Sequence, residues 1–384
     1  MIRVKDKKEC CGCTACCSIC AQNAITMKPD SLGFLYPEVN VELCVDCGLC
    51  NKICQFNDRY ERFANFEFPR AYQFRIIPDE QLQRSQSGGA FFAIANRFIE
   101  NGGFVYGAAF TATWQVTHQK ATDAETLEAL RMSKYVQSDI QGVFLQVKND
   151  LKNGHMVLFS GTGCQVSGLK SYIPQRLHER LICVDVICHG VPSPQIWMDN
   201  IGYLEKIHKS KIIKACFRDK HFGWHGAIES YHFANGEKSF GRTSNEMYFS
   251  GLSVRESCFY CHYTNLKRVG DLTIGDLWSL EKDSPLNDEK GGSLVLVNSE
   301  KGQKLLDSIK DNVICKERKL EDCLQPQLQH PAKANTFHKK FINDYSTKGF
   351  LYVAKHYGDL GWRYKRKLFI KKFKHMIGAL IQRY

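Results

Sequence analysis

The sequence predicts an α+β, or mixed α/β, protein in which a small cysteine-rich module precedes a larger domain with a mixed sheet. Ten of the 18 cysteines fall within the first 54 of the 384 residues. Beyond residue 70, strand-like apolar runs alternate with amphipathic helical stretches. The chain is too long for the module alone, and its 43% of hydrophobic residues can form a second, sizeable core.

The composition divides the chain into four parts. The module covers residues 1–57, and residues 58–70 (DRYERFANFEFPR) form a linker. The larger domain covers residues 71–330, and a helical C-terminal region with a basic tail covers residues 331–384.

Alternation and turn residues predict the elements in order. In the module, residues 24–42 alternate as two short strands with a turn at Asp30 to Gly33. In the larger domain we expect strands at 71–77, 104–110, 115–121, 156–164, 181–190, 271–278 and 293–298. Helices are expected within 85–103, 124–131, 140–154 and 193–208, and a hairpin turn at Asn235 and Gly236. We expect active groups on the loops at the strand ends.

Two cysteine runs of the same spacing, C-x2-C-x2-C-x3-C, dominate the module. The first run is Cys10, Cys13, Cys16 and Cys20, and the second is Cys44, Cys47, Cys50 and Cys54. Paired runs of this kind hold two [4Fe-4S] clusters, and the fourth cysteine of each run ligates the other cluster. The module is therefore predicted to be ferredoxin-like. Cluster I takes Cys10, Cys13, Cys16 and Cys54, and cluster II takes Cys44, Cys47, Cys50 and Cys20.

The alternative is a zinc or disulfide knot, but zinc sites typically pair two shorter C-x2-C knuckles. The runs depart from the usual ferredoxin pattern because Ala21 and Gln55 stand where proline commonly follows the fourth cysteine. This change removes no ligand and bears on loop rigidity and cluster potential. Cys11 and Cys17 are additional cysteines, which we interpret as non-ligands.

The N-terminal sequence and the cysteines also indicate the cellular compartment. Residues 1–9 are short and charged and do not resemble a signal peptide, and thiol ligands need a reducing compartment, so we expect a cytoplasmic protein. No apolar run is long enough to span a membrane.

The net charge of +12 is unevenly distributed, since residues 361–384 contribute +8 of it and contain no acidic residue. Apolar residues recur there at helical spacing, which favours a basic amphipathic helix at the anionic inner face of the membrane. A partner-binding helix is the rival, and nucleic acid is disfavoured because no reading motif is present.

Two segments of the larger domain could bind a phosphate-bearing cofactor. SQSGG, from Ser85 through Ser87, Gly88 and Gly89, precedes a predicted helix, where backbone N–H groups and the helix dipole favour an anion. A simple Gly-Gly turn is the structural alternative. In RMSKYVQS, Lys134 and Tyr135 could contact a flavin ring or a phosphate, and a solvated lysine is the alternative.

The larger domain carries a second group of cysteines. Cys164 is expected between a buried strand and a helix N-terminus, which favours thiolate chemistry or metal ligation. Cys188 and His189 follow another strand, and Cys258 and Cys261 form a C-x2-C pair. Cys164, Cys188, Cys258 and Cys261 could hold a third [4Fe-4S] cluster, a zinc ion, or, at the pair, a redox-active dithiol. Core packing is expected for the remaining cysteines, Cys183, Cys216, Cys315 and Cys323.

Several segments in a fixed order carry a family resemblance. They are SQSGGAFF, YGAAF, SKYVQS, LFSGTGCQVSGLK, DVICHGVPSP, FRDKHFGW, SCFYC and GDLTIGDLW, between Cys10 and Asn298. The chain resembles the coenzyme F420 hydrogenase/dehydrogenase beta subunits, in the bacterial form with an N-terminal two-cluster ferredoxin domain. One departure is Gly163, where the family usually has proline before Cys164.

The resemblance implies an iron–sulfur flavoprotein that binds FAD. The Ser85–Gly89 loop, Lys134 and Tyr135 would contact the flavin, and Lys134, Cys164 and His189 are the catalytic candidates. Similar bacterial proteins are encoded among capsule and exopolysaccharide genes, which suggests a small-molecule or lipid-linked sugar substrate and a ferredoxin-like or other redox donor.

Three other functions stay open at this point. They are oxidation or reduction of coenzyme F420, a non-catalytic electron-transfer subunit of a larger dehydrogenase or hydrogenase, and disulfide reduction through Cys258 and Cys261.

Overall fold

The computed structural model describes residues 1–56, 65–280, 284, 286–362, 364 and 366. The strands are β1 Ile25–Pro29, β2 Leu35–Val39, β3 Arg70–Ile76, β4 Phe104–Phe110, β5 Val116–Ala121, β6 Val157–Thr162, β7 Leu181–Val186, β8 Ile212–Cys216, β9 Glu229–Phe233, β10 Lys238–Gly241, β11 Leu272–Asp276, β12 Ser293–Val297 and β13 Val313–Arg318. The helices are α1 Ala15–Ile19, α2 Leu49–Ile53, α3 Asp79–Gln83, α4 Ala90–Glu100, α5 Ala124–Glu128, α6 Val143–Lys152, α7 Gly163–Tyr172, α8 Pro194–His208, α9 Thr243–Phe249, α10 Glu300–Asp307 and α11 His338–His356.

The larger domain is built on a mixed sheet in the order β13-β3-β12-β11-β7-β6-β4-β5. Its centre is parallel, because β11, β7, β6 and β4 pair in the same direction. The flanking strands pair antiparallel on both sides. This architecture confirms the predicted mixed α/β class.

Apolar residues cover both faces of this sheet. On one face, α4 packs Ile94 and Phe98 against strand residues such as Phe74 and Val295. On the other, Phe144 of α6 and Leu169 of α7 pack against Phe159. Burial on both faces explains why β6, β7 and β12 read as continuous apolar runs rather than alternating ones.

The N-terminal module combines α1 and α2 with the antiparallel hairpin of β1 and β2. The predicted turn forms at Asp30, whose carboxylate accepts hydrogen bonds from the backbone N–H groups of Leu32 and Phe34, each at 3.0 Å. Gly33 there has φ +81°, which favours glycine. The sequence predicted this hairpin because turn residues separate two alternating segments.

The module packs directly onto the larger domain. Ala15, Ile53 and Phe56 join the apolar cluster that contains Phe144 and Leu169. Polar contacts fix the same interface, since the Tyr263 hydroxyl donates to the Gln55 carbonyl at 2.9 Å. The Ser193 hydroxyl donates to the Leu32 carbonyl at 2.6 Å. The two parts therefore share one core.

A small antiparallel sheet of β8, β9 and β10 lies beside α8 and α9. The predicted hairpin turn joins β9 to β10, and Gly236 has φ +87°. Helix α11 packs on α8 and α9 and confirms a helix within residues 331–384. Gly349, with φ +75°, interrupts its helical geometry.

Some predicted boundaries differ from the structure. The helix expected over 124–131 ends at Glu128, because Arg131 turns towards α3 and bonds the Gln81 carbonyl at 2.7 Å. Strand β3 begins at Arg70, the last residue of the predicted linker. Most of that linker, and the basic tail beyond residue 366, lie outside the described residues. None of the helices in the described part of the chain is long and apolar enough to cross a membrane.

Candidate functional site

A cavity of about 490 Å³ opens where the parallel strands end. Its lining includes Ala108 of β4, Thr162 of β6 and Asp276 of β11, together with Cys188 just after β7. The carboxyl ends of parallel strands meet at one edge of a sheet, where α/β proteins commonly bind ligands. A volume of this size is typical of a cofactor or substrate pocket.

The Ser85–Gly89 loop forms one wall of the cavity at the start of α4. Ser85, Ser87 and Gly89 line it, whereas Gly88 lies behind them. A Cβ on Gly88 would collide with the carbonyl oxygen of Phe74 and lie 2.6 Å from the Ser293 nitrogen. The glycine is therefore needed for the close approach of this loop to the sheet.

The loop presents polar groups without protein partners. Both side-chain polar atoms of Gln86 are buried, and neither has a hydrogen-bond partner among the described residues. The Nε of Arg131, on the same cavity, is also buried and unpartnered within the described chain. Buried polar atoms are rarely left unpaired. These atoms fit a bound polar ligand such as the phosphates or ring of a flavin.

The cavity wall carries an excess of positive charge. Arg131, Lys134 and Arg218 line it, while Asp276 is the one carboxylate within the described lining. The ammonium of Lys134 is partly buried and donates to the carbonyl oxygens of Ala129 and Arg131, at 2.8 and 2.5 Å. Burial lowers the pKa of Lys134 to about 7. The charge of the cavity favours an anionic ligand.

A hydrogen-bonded network around Asp276 was not identified as part of the site from the sequence. Arg218 donates to this carboxylate at 2.7 Å, to the Tyr135 hydroxyl at 3.3 Å and to the Trp224 carbonyl at 2.8 Å. Asp276 also accepts a short hydrogen bond from the Ser87 hydroxyl. The segments FRDKHFGW and GDLTIGDLW supported the family resemblance, but no local pattern indicates that their charged residues pair.

A buried histidine, His118, also lines the cavity and was missed. Its Nε2 donates to the Ser160 carbonyl at 2.8 Å, and its Nδ1 accepts from the Ser138 hydroxyl at 2.9 Å. Burial lowers the pKa of His118 to about 4, so the ring is neutral near pH 7. Gln165 donates to Ser138 at 3.0 Å and accepts from Thr162, which contacts Cys164 Sγ at 3.1 Å. A continuous polar chain therefore runs from the cavity to Cys164.

The later cysteines converge beside this cavity. Burial raises the pKa of Cys188 to about 12, and the neighbouring Cys164 adds to the rise. The pKa of Cys258 is raised well above its ordinary value by burial and then by Cys188, Cys261 and Cys164. The four sulfurs therefore lie within range of mutual electrostatic interaction. Cys188 and His189 lie on the cavity wall, and Cys164 is the second residue of α7, at the strand-to-helix junction that was predicted.

The cysteines of the first run lie near Cys54, the last cysteine of the second run. Burial raises the pKa of Cys16, and the neighbouring Cys13, Cys10 and Cys54 raise it further. The crossed ligand set of cluster I, Cys10, Cys13, Cys16 and Cys54, stays a prediction. In the other set, Cys50 Sγ accepts from the Ile2 N–H at 3.1 Å, Cys20 Sγ accepts from the Ala24 N–H at 3.3 Å, and Cys47 is exposed. The assignment of Cys44, Cys47, Cys50 and Cys20 to cluster II remains a prediction.

Cys11 lies between the first cysteine run and the later cysteines. This buried residue is within hydrogen-bonding reach of the sulfurs of both Cys13 and Cys164. Gly168 of α7 allows the approach, because a Cβ there would lie 2.9 Å from Cys13 Sγ. The module therefore brings its cysteines next to the group that borders the cavity.

The donor sets consist of thiols, the ligands that iron–sulfur clusters use. None of the described residues forms a set of three or more His, Cys, Asp or Glu side chains tight enough for one metal ion. A single ion is held closely by its ligands, whereas a four-iron cluster spreads its cysteine ligands around a larger body.

Core packing was expected for the other four cysteines; two of them are buried and two, Cys216 and Cys315, are half-buried. Cys183 is buried in β7, and Cys216 and Cys315 are part of β8 and β13. Cys323 is buried in a short 3-10 turn. Their packing in regular elements agrees with a structural role.

Part of the larger domain is similar to a known protein family. Residues 154–322 match the family described as the C terminus of the coenzyme F420 hydrogenase/dehydrogenase beta subunit. No curated protein matches the chain. A chain from a xenon derivatization study of the F420-reducing [NiFe] hydrogenase complex from Methanosarcina barkeri is 14% identical, with a TM-score of 0.44. The similarity covers 75% of this chain and 92% of that chain.

The matched region includes the last five of the resemblance segments and all four later cysteines, whereas the Ser85–Gly89 loop and Lys134 precede it. The match of residues 154–322 supports the resemblance to the coenzyme F420 hydrogenase/dehydrogenase beta-subunit family.

Proposed function

We propose that this protein is an iron–sulfur flavoprotein oxidoreductase that passes electrons between ferredoxin-type clusters and FAD. The observation that carries the proposal is the position of Cys188, which belongs to the later cysteine group and also lines the cationic cavity. A cluster held there would border the flavin site directly. The family relation supports a redox role of the oxidoreductase type.

The residues around the cavity fit FAD. The Ser85–Gly89 loop at the N-terminus of α4 would take the pyrophosphate, helped by the helix dipole and by Arg131. The buried amide of Gln86 would find its missing hydrogen-bond partners on the ligand. Lys134 and Tyr135 would contact the ring system, and Arg218 and Asp276 would fix the far wall. When bound, FAD supplies the exchange between one-electron and two-electron chemistry.

The residues of the chain also determine the surroundings of that chemistry. His118 is held in one tautomer by Ser160 and Ser138, so it offers a fixed N–H and no charge near neutral pH. His189 lines the same cavity, and burial lowers its pKa as well. We propose His189, Lys134 and Cys164 as the groups to test for roles at the reacting centre.

The surface around the second cysteine run supports an electron inlet there. Val41, Leu43, Val45 and Leu49 are large apolar side chains that are each at least 43% exposed. Cys47 is exposed among them. Electron-transfer partners typically dock through small surfaces. We therefore propose that a ferredoxin-like or other one-electron donor docks here.

The substrate class rests on the resemblance to proteins encoded among capsule and exopolysaccharide genes. We propose reduction or oxidation of a small-molecule or lipid-linked sugar, at the membrane surface if the basic tail binds anionic lipid. Coenzyme F420 is the rival substrate, and the family match favours it equally. The exposed apolar patch also favours a second function, that of an electron-transfer subunit bound to a larger enzyme.

One experiment separates these functions. Anaerobic protein is mixed with reduced ferredoxin, flavin absorbance is followed, and sugar nucleotides, lipid-linked sugars and F420 are then added in turn. Flavin bleaching followed by reoxidation with one substrate supports a stand-alone enzyme. Flavin bleaching without reoxidation by any of these compounds supports an electron-transfer subunit. FAD-loaded protein that ferredoxin and dithionite both fail to bleach contradicts the proposed electron path.

A further inference from the structure

Arg255 is the exception among the buried arginines of the described chain. Its exposure is 0%, and no described carboxylate lies within ion-pair distance of it. Each of the other four buried arginines pairs with a carboxylate: Arg75 with Asp288, Arg131 with Glu128, Arg218 with Asp276, and Arg268 with Asp185. A buried charge without a counter-charge is costly, so a structure retains one only when something else balances it.

The side chain of Arg255 ends at the first cysteine run. Its Nε donates to the Cys10 carbonyl at 2.9 Å, and its Nη2 lies 3.7 Å from Cys10 Sγ. Nη2 also donates to the Leu35 carbonyl at 2.9 Å, and Nη1 donates to the Gln137 Oε1 at 2.9 Å. All of these partners are neutral except a thiolate at Cys10.

The surrounding residues hold the guanidinium in this position. Its carbon lies 4.2 Å from the centre of the Tyr36 ring, a distance typical of a cation–π contact. A Cβ on Gly12 would lie 2.9 Å from Nη1, so glycine leaves the space that the side chain fills. The guanidinium is therefore fixed between the module and the larger domain, beside the predicted ligand Cys10.

We propose that Arg255 is the counter-charge of cluster I and raises the reduction potential of that cluster. A cubane with four thiolate ligands is anionic and gains one further negative charge when a donor such as reduced ferredoxin or dithionite gives it an electron. A fixed positive charge and a hydrogen bond to a ligand sulfur stabilise the reduced form more than the oxidised form. Arg255 would thus be a positioning residue for electron flow, and this inference rests on the proposed clusters.

The same residue touches the later cysteine group through its backbone. The Cys258 N–H donates to the Arg255 carbonyl at 3.0 Å. The charge itself lies at Cys10, so the potential of cluster I should change more than that of a cluster on Cys164, Cys188, Cys258 and Cys261.

The test is a redox titration of the anaerobic protein, followed by the electron paramagnetic resonance signals of the clusters. In Arg255→Gln, we expect the reduced-to-oxidised ratio of one cluster at a fixed potential to fall at least tenfold, a midpoint shift of about 59 mV for one electron. Arg255→Lys keeps the charge and should retain most of the wild-type midpoint. Arg75→Gln, which removes a buried but paired arginine, should leave all midpoints unchanged.

Gln137→Glu provides a second test that keeps Arg255. A carboxylate at this position would pair with Nη1 and neutralise the guanidinium, so the same midpoint should fall. Unchanged midpoints in folded, cluster-loaded Gln137→Glu and Arg255→Gln protein would overturn the inference. Wild-type protein without iron would instead overturn the proposed function, which keeps the two failures apart.

Discussion

Arg218 Nη1 lies 2.7 Å from Asp276 Oδ2 and links the end of β11 to the segment after β8. Both side chains are largely buried, at 5% and 15% exposure. The pair closes one side of the cavity and holds Ser87 of the glycine loop through the same carboxylate.

Removal of this carboxylate should destabilise the fold. Asp276→Asn leaves the Arg218 charge buried and unpaired, and we expect the free energy of unfolding to fall by about 3 kcal/mol. Asp288→Asn, which breaks the pair with Arg75 at a carboxylate 38% exposed, should cost less. Urea denaturation of both variants measures the difference, and equal losses would contradict the structural role of Asp276.

Replacement of Cys188 should remove a cluster selectively. Cys188→Ala should lose about four irons per chain, because one cubane holds four. Cys183→Ala is the matched control, since Cys183 is buried in the preceding strand but lies in regular β structure. Iron and sulfide analysis after anaerobic purification measures the loss. An unchanged iron content per chain in Cys188→Ala would contradict the third cluster.

A methyl group on Gly88 should expel the flavin. Gly88→Ala forces the loop away from Phe74 and Ser293, which displaces the proposed pyrophosphate site. We expect less than a tenth of the wild-type FAD content. Gly202→Ala is the control, because no atom lies within 4 Å of its Cβ position on helix α8. Full FAD occupancy in folded Gly88→Ala protein would argue against binding at this loop.

The affinity of the flavin-free protein for FAD should depend on pH. Lys134 is charged below its pKa of about 7, and above that pH a proton must be taken up when the anionic FAD binds beside it. Affinity should therefore be full below pH 7 and fall by up to tenfold per pH unit above it.

Lys134→Met should remove much of this pH dependence, whereas Lys148→Met on helix α6, outside the cavity, should retain it. Burial also lowers the pKa of Lys220 to about 7. A weaker dependence of FAD affinity on pH should therefore remain in Lys134→Met protein. Titration of FAD fluorescence measures the affinity. Wild-type and Lys134→Met curves with the same slope would exclude Lys134 as the responsible group.

The tail should control membrane binding. Deletion of residues 362–384 removes eight of the basic residues in this part of the chain. We expect the truncated protein to sediment no longer with anionic liposomes while FAD content is unchanged. Neutral liposomes serve as the control for charge. Equal sedimentation of the full-length and truncated proteins would show that the tail is not the segment that binds the membrane.

Much of the fold was predictable because the signals are local. The β4 prediction matched residue for residue, and the Asp30–Gly33 and Asn235–Gly236 turns formed where turn residues separate alternating segments. Strand β13 and helix α9 were missed. In β13, an edge strand, three apolar residues (Val313 to Cys315) are followed by three charged ones, so neither alternation nor a long apolar run marks the strand.

The site was predictable in part. Cysteine spacing selected eight thiols as cluster ligands, which stays a prediction, and the loop residues Ser85, Ser87 and Gly89 line the cavity. Arg218, His118 and Arg255 were missed, because their partners lie far away in sequence. Arg255 is 245 residues from Cys10, and Arg218 is 58 residues from Asp276. Such pairings depend on the order of strands in the sheet, which local patterns do not determine.

The most direct test of the account is the iron, sulfide and flavin content of the protein purified without oxygen. We predict about twelve irons and twelve sulfides per chain, four for each of three clusters, together with one FAD. Eight irons with FAD would retain the ferredoxin module and remove the cluster at the cavity. Colourless protein with zinc in place of iron would contradict the central claim.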